Sequence, residues 1–429
     1  MVLIREWRQT SSLDRFLVAD RNVRGVVGSM SIAASWIWAP AIFISTQTGY
    51  TWGLSGLVWF VVPNALALIL FAPLAARVRA SLPHGYSLID HLRRGDPSFV
   101  ALQTSMQLGM QVFIYSIQLV AGAELLSSLT GSSYSWMVVA MGLLPLTYSL
   151  FSGLRTSVFT DAIQYVVIAS IAFSMLFAFP SSHSFDTRSF EPFDSTLLME
   201  FGISSALGLV VAIFADHQQW QRAFAIKEGR VSRTFCCASA LHGLVTLSLG
   251  LLGCYVYSAG YIPLRRDLVG FEFVSANYPP VFVIFFVVMA MCALISTLDS
   301  ALCAFSSLAT REITPGAITL RKGRFWMMVV TALGISVALT RPTLLTLWFL
   351  VSTIRLSSFI PTVASLLTKQ PPTRWHTAAT VSAVILGGLL FGAGITLEIG
   401  RLRTIGMIIS LALPGVILLI PMLSRCMAR

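Results

Sequence analysis

Ser296 and Thr297 stand side by side in the stretch MCALISTLDSALCAFSSLATR, Met291 to Arg311. Two adjacent hydroxyls with a backbone carbonyl supply the hard oxygens that a small alkali cation needs in place of its water. At helical spacing these residues share one stripe with Ala293, Ser300, Ala304 and Ser307. The same stripe suits close helix packing, because small side chains let backbones approach and hydroxyls bond back to the i−4 carbonyl. The stretch is long and apolar enough to cross a bilayer. Either use is therefore set at membrane depth, and a partner segment has to decide between them.

Arg355 is the second residue of interest, near the middle of the apolar run Leu344 to Leu367. An arginine there costs on the order of 2.5 to 3.5 kcal/mol on insertion scales and is too short to reach an interface. It is expected to face the bundle interior. There it pairs with an acid, with Asp299 and Asp161 as candidates, or its fork of donors holds an anionic or carbonyl group of a substrate.

The elements that position these residues follow from composition. The chain has 429 residues, of which 56% are apolar and only 11% charged, against about 25% charged in soluble domains. It is read as an all-α polytopic membrane protein of about twelve helices, with no appended catalytic domain. The net charge of +11 is no sign of nucleic acid here and acquires meaning only when sorted by loop. One set of ends and loops holds Arg15, Arg21, Arg24, Arg77, Arg79, Arg93, Arg94, Arg155, Arg222, Lys227, Arg230 and Arg233, among others. The opposite set holds only Arg188, Arg265, Arg266, Arg341, Arg401 and Arg403. This bias predicts a multi-pass protein of the plasma or inner membrane with both termini cytoplasmic. The six cysteines read as small buried apolar residues rather than disulfide partners. Residues 1–24 lack the apolar run of a cleavable signal peptide.

Along the chain, residues 5–24 read either as an amphipathic lead-in or as a solvated tail. The first crossing, about Gly25 to Gly49, contains SIAASWIWAPA. Its Pro40 denies a partner to a backbone carbonyl, and broken helices at membrane depth mark binding sites where they line a cavity. A plain proline kink is the alternative. The third crossing carries Gln111, Gln118 and Glu124, the last expected to be solvated. A tight turn, SGLRTS, separates the fourth crossing from the fifth, and DHQQWQRAFAIKEGR after the sixth reads as a basic cytoplasmic segment. Crossings one to five and six to ten then start on opposite sides, so two similar halves must be inverted. The expected division is 1–24, an N-terminal segment; 25–180 and 181–367, two five-helix repeats; and 368–429, two further helices.

Several segments taken together resemble the sodium:solute symporter family, which includes carriers of glucose, proline, pantothenate, sialic acid and urea. They are SLDRFLVADRNVRGVVGSMSIAASWI, GYTWGLSGLVWF, SGLRTSVFTDAIQ, DHQQWQRAFAIKEGRVSR and ALISTLDSALCAFSSLATREI, in the family's order over about residues 11 to 312. The resemblance implies a leucine-transporter-like five-plus-five inverted-repeat core with two extra C-terminal helices, working by alternating access. It also implies sodium as the co-transported ion. Ala293 would ligate it by its carbonyl, Ser296 and Thr297 by their hydroxyls, and Ala33 and Trp36 by carbonyls of the first helix. Asp161, in VFTDAIQ, matches an acid near the inner sodium route; as an alternative it is a helix-start carboxylate satisfied by backbone amides. Substrate contacts are implied at Ser35 and Trp38. SWIWAPA and GLSGLVWF look more like the urea-carrier branch than the sugar branch. The family's usual first helix, ahead of Ser12, is missing from this pattern.

The expected function is sodium-coupled symport of a small polar organic solute. A transporter-like sensor acting with a separate signalling partner is the competing class. An enzyme is not expected, because the facing helices offer neither a His and Glu metal motif nor a Ser and His dyad. The implied partners are the solute, sodium and the lipid bilayer.

Overall fold

A computed structural model describes residues 12–178, 188–314, 316–368, 370–397 and 399–427, and is almost entirely helical. Part of the polar loop after the fifth crossing, part of the N-terminal lead-in and Lys369 thus lie outside the described residues. Among the described residues, eleven helical stretches are long and apolar enough to cross a membrane. The first of them, Pro40–Ser81, has 42 residues and a length of about 63 Å at 1.5 Å per residue. It turns back at Gly53, where φ is 59° and ψ −149°, a conformation open only to glycine. Its two arms are two crossings, so the expected twelve are present.

In chain order the elements are α1 (Leu13–Val18), α2 (Gly25–Trp36), α3 (Ala39–Ser81), α4 (Leu88–Leu92), α5 (Pro97–Thr130) and α6 (Tyr134–Phe177). Then come α7 (Ser195–Ala215), α8 (His217–Ala225), α9 (Val231–Ser258) and α10 (Val269–Asn277). The rest are α11 (Pro280–Glu312), α12 (Leu320–Leu339), α13 (Leu344–Thr368), α14 (Arg374–Thr396) and α15 (Gly400–Met427). The side that holds α1 and α4 is called the basic face below. Large apolar side chains such as Leu70, Ile163, Ile284 and Leu389 are exposed, as a lipid-facing surface requires.

Two crossings are broken, and both breaks have local causes. The first crossing consists of α2 and the opening arm of α3, separated at Ile37 and Trp38. Ile37 leaves helical geometry (φ −83°, ψ 71°), and Pro40 sits in the first turn of α3, where its missing N–H is harmless. The sixth crossing consists of α7 and α8, separated at Asp216, which is extended (φ −89°, ψ 109°). The Asp216 carboxylate accepts from the Gln218 N–H at 3.0 Å, an N-cap that fixes where α8 begins.

This second break overturns one sequence reading. DHQQWQRAFA is not a solvated basic segment: every residue of α8 is buried, Arg222 at 1% exposure. Arg222 is therefore not a loop charge and does not count towards the orientation. The charges that remain on the basic face still outnumber those opposite.

The tight turn expected at SGLRTS is present: the two arms of α6, the fourth and fifth crossings, meet at Gly153 (φ 61°, ψ −151°), where an added Cβ would lie 2.4 Å from the Phe16 carbonyl oxygen. Two further readings change. The eighth crossing extends well beyond Met291, to Pro280. Cys236 and Cys237 are exposed, whereas Cys254 and Cys303 are buried. Glu124 stays half-exposed as expected, with the Arg265 guanidinium at 3.5 Å.

The basic face is closed by paired groups. Phe16, Leu17 and Val18 of α1 are buried, which makes this stretch an amphipathic lead-in. Val23 forms a parallel bridge to Ile226: the Val23 N–H donates to Ala225 at 3.0 Å and the Lys227 N–H to Val23 at 3.3 Å. That bridge fastens the basic-face ends of the two broken crossings to each other. The guanidiniums of Arg21 and Arg311 lie over the Tyr86 ring at 4.4 Å and 4.0 Å. Burial alone would raise the Asp14 carboxyl, but hydrogen bonds from Tyr86 and Arg21 hold it below the ordinary carboxylate range. On the opposite face Arg188 donates to the carbonyls of Gly49, Tyr50 and Thr51 at 2.9 to 3.1 Å, groups left free where α3 turns at Gly53.

Candidate functional site

A cavity of about 40 Å³ lies between the two breaks. Its lining includes Ser35, Trp36 and Trp38 from the first break and Asp216 and Gln218 from the second. Asn64, Thr297, Trp348 and Arg355 complete its polar and aromatic wall. Trp38 and Trp348 face each other there with ring centroids 6.2 Å apart. Of the sequence-derived candidates, Ser35, Trp36, Trp38, Thr297 and Arg355 thus share one cavity. Ala33, Ala293 and Ser296 are fully buried and do not line it.

The oxygen atoms expected to hold an ion have the following partners. The Thr297 hydroxyl donates to the Ala293 carbonyl at 3.1 Å, and the Ser296 hydroxyl donates to Asp161 Oδ1 at 2.6 Å. Both hydroxyl oxygens keep lone pairs for a cation. The Ala33 carbonyl accepts from the Ile37 N–H at 2.8 Å, closing the last regular turn of α2, so Trp36 stands where the helix has ended.

Asp161 sits in the second arm of α6, not at a helix start, and its partners are side chains rather than backbone amides. Arg222 Nη2 reaches Asp161 Oδ2 at 2.8 Å, and the Ser31 hydroxyl donates to the same oxygen at 2.7 Å. Arg222 also donates through Nε to Ser31 at 3.1 Å and through Nη2 to Ser300 at 2.5 Å. Ser300 donates in turn to the Ser296 carbonyl at 2.5 Å. One carboxylate and one guanidinium, both at most 2% exposed, therefore join α2, α6, α8 and α11 around the Ser296 position. Arg222 and Ser31 are functional candidates that the sequence did not reveal. Their signal was faint: WQRAF resembles an ordinary loop charge beside aromatics, and Ser31 lies one turn before the more prominent Ser35.

Asp299, next along α11, is also fully buried. It accepts from Tyr148 at 2.7 Å and from Ser157 at 2.9 Å. Neither Asp161 nor Asp299 pairs with Arg355. That guanidinium faces Asp216, with Nη2 3.7 Å from Oδ2. Asp216 does not stand out in the sequence, because DHQQWQRAFA has the composition of a solvated loop. Gln111 donates to Asp216 Oδ1 at 3.3 Å and accepts from Gln218 at 2.9 Å, so the third crossing closes the cavity's polar side. A larger cavity, of about 910 Å³, opens towards the face opposite the basic one, between Gln47, Trp52, Glu200, Trp348 and Arg403. Trp348 lines both spaces.

Comparison with known proteins gives concordant results. The sequence model of the sodium:solute symporter family matches residues 16–367. The urea active transporter of Saccharomyces cerevisiae is 22% identical over 361 residues, which span 73% of this chain and 48% of that protein. The urea-proton symporter DUR3 of Oryza sativa is 26% identical over 175 residues, 39% of this chain and 24% of that protein. The chain thus spans half or less of the length of these relatives. Among solved structures, a sodium-coupled sialic acid symporter in a substrate-bound, outward-open state superimposes with a TM-score of 0.75 at 14% identity. That match covers 97% of this chain and 93% of the other. The fold is accordingly the leucine-transporter-like arrangement of inverted repeats, and the proteins that share it here are transporters rather than enzymes.

Proposed function

The chain belongs to the sodium:solute symporter family, and from that premise we propose that it carries a compact polar solute across the plasma membrane together with sodium, by alternating access. The observation that carries the reading is the cavity between the two helix breaks, with Thr297 in its wall and the buried Ser296 next to it in the chain. Solute and ion then share the same broken helices, so that binding of one can bias the site of the other. Sodium is held by the Ser296 and Thr297 hydroxyls and the carbonyls of Ala293, Ala33 and Trp36. Asp161, bonded to Ser296, lies beside that site on the ion's inner route. Residues 25–180 and 181–367 form the two repeats, and the basic face is cytoplasmic. Membrane potential contributes about 2.3 kcal/mol per charge per 100 mV to accumulation.

Sodium, rather than protons, is favoured by this oxygen set of hydroxyls and carbonyls. In proteoliposomes, uptake is expected to require an inward sodium gradient and to fall to background when choline replaces sodium. Uptake driven equally well by a pH gradient in choline would overturn sodium coupling. Ser296→Ala and Thr297→Ala should each raise the sodium concentration for half-maximal uptake about tenfold, the scale of one lost contact to a charge. Unchanged sodium dependence in both variants at matched protein level would reduce the stripe to helix packing.

A further inference from the structure

The face of α5 that reaches Asp216 and Gln218 through Gln111 continues as Gln107 and Gln103, each one helical turn further on. It thus extends about 12 Å towards the basic face. Both residues are buried. Yet neither end of the Gln107 amide, nor Gln103 Nε2, has a hydrogen-bond partner among the described residues. His217, the first residue of α8 after the break at Asp216, is 0% exposed, and both of its ring nitrogens are unbonded. In a neutral imidazole one nitrogen donates and the other accepts, so both need a partner. Thr310 on α11 repeats the pattern with a buried, unbonded hydroxyl. The next residue, Arg311, ends the series: its guanidinium reaches Asp90 of α4 at 2.8 Å, and these two charges act on the His217 ring.

Left dry, each of these amide, imidazole and hydroxyl groups would forfeit a hydrogen bond that it makes in water, and together they would use up the margin by which a fold is stable. Buried polar groups of this kind are met by ordered water. We infer that an enclosed, water-filled lane runs from the cavity past His217 and Gln107 to the Asp90 and Arg311 pair, and that the solute leaves along it when that pair parts. The inference rests on the transport reading above and adds the route. Between Asp216 and Asp90 the lane offers neutral groups that exchange hydrogen bonds with a polar solute as water does. The neighbouring face of α8 is built differently. Trp220 donates to the Phe214 carbonyl at 2.8 Å and packs on Phe71 with ring centroids 4.7 Å apart, which leaves no polar group there for water to meet.

The test uses the purified full-length protein. Brief X-ray radiolysis turns water into hydroxyl radicals, including water bound inside a protein, and mass spectrometry reads where they add. His217 should be labelled, whereas Trp220, just as buried and intrinsically more reactive, should not. Gln103→Cys should react with a water-soluble methanethiosulfonate at least about tenfold faster in choline than in saturating sodium, because on the transport reading sodium favours the state with a closed basic face. Thr310→Cys, a nearly isosteric change, gives the same comparison at the far end of the lane should Gln103→Cys fail to fold. An unlabelled His217 overturns the lane, and sodium-driven uptake would then leave the transport reading standing. Thiols that are unreactive in choline, or equally reactive in both media, overturn its use as an exit. A labelled His217 and sodium-sensitive thiols without sodium-driven uptake support the lane and defeat the coupled-transport reading.

Discussion

Arg222→Ala is expected to remove nearly all correctly folded protein from the membrane. The substitution leaves Asp161 as a buried carboxylate without its counter-charge, and breaking such a pair from one side costs about 3 to 5 kcal/mol. Total stabilities of roughly 5 to 15 kcal/mol leave little after such a loss. The effect is enlarged by what the pair joins: Ser31 on α2, Asp161 on α6 and both Ser296 and Ser300 on α11 are all held through it. Asp161→Asn combined with Arg222→Gln removes both charges and keeps hydrogen-bonding side chains of similar shape. The double variant should recover much of the abundance lost in Arg222→Ala, as read by detergent size-exclusion of the tagged protein. Because the buried pair also fixes Ser296, its sodium dependence should remain impaired although it folds. A single Arg222→Ala variant with wild-type abundance and thermal stability would mean that the pair is not a support of this bundle.

A second large effect is expected where the opening arm of α3 crosses α9. A Cβ on Gly253 would lie 2.0 Å from the Thr46 carbonyl oxygen, and one on Gly49 would lie 2.0 Å from the Gly250 carbonyl oxygen. The two backbones touch at both points, so no side chain can yield to make room. Gly253→Val must push the helices apart, beyond the 1 to 3 kcal/mol typical of overpacking in a yielding core. The displaced element is half of the broken first crossing, so uptake should be abolished even in protein that reaches the membrane. Gly109→Ala is the matched control, because nothing lies within 4 Å of a Cβ there; it should be neutral or gain up to about 1 kcal/mol from helix propensity. Normal uptake by Gly253→Val would show that this contact tolerates separation.

The sequence disclosed the fold more fully than the site. Long apolar runs and Pro40 pointed to twelve crossings and a first break, because both features are local and depend on length and on a missing N–H. The second break was hidden by its own function. A helix that must bring Asp216, Gln218 and Arg222 to the middle of the protein has the composition of a loop, and only the surrounding helices make those residues buried. The partner of Arg355 is hidden for the same reason: acids inside apolar runs, such as Asp161 and Asp299, stand out in the sequence, whereas Asp216 lies in a stretch with loop composition. The short α10 does not show in the sequence, because nine residues give too brief a period to separate from a turn. Ser296 and Thr297 were legible as candidates, since adjacent hydroxyls in an apolar run are conspicuous. Their link to Asp161 depends on elements more than 130 residues apart in the chain, and no spacing encodes it.

The bridge between Val23 and Ile226 has a consequence for how the carrier can move. Its two backbone bonds tie α2 and α8 at their ends, so neither half-helix can swing alone without breaking both. A path that frees one half-helix must break both bonds before anything is gained, whereas a path that swings them together breaks neither. On the alternating-access reading, the motion that keeps both bonds carries the two half-helices together. If the protein works by the proposed alternating access, the Val23 and Lys227 N–H groups should keep the same slow amide hydrogen-exchange rate with and without turnover, while the surrounding surfaces change their protection.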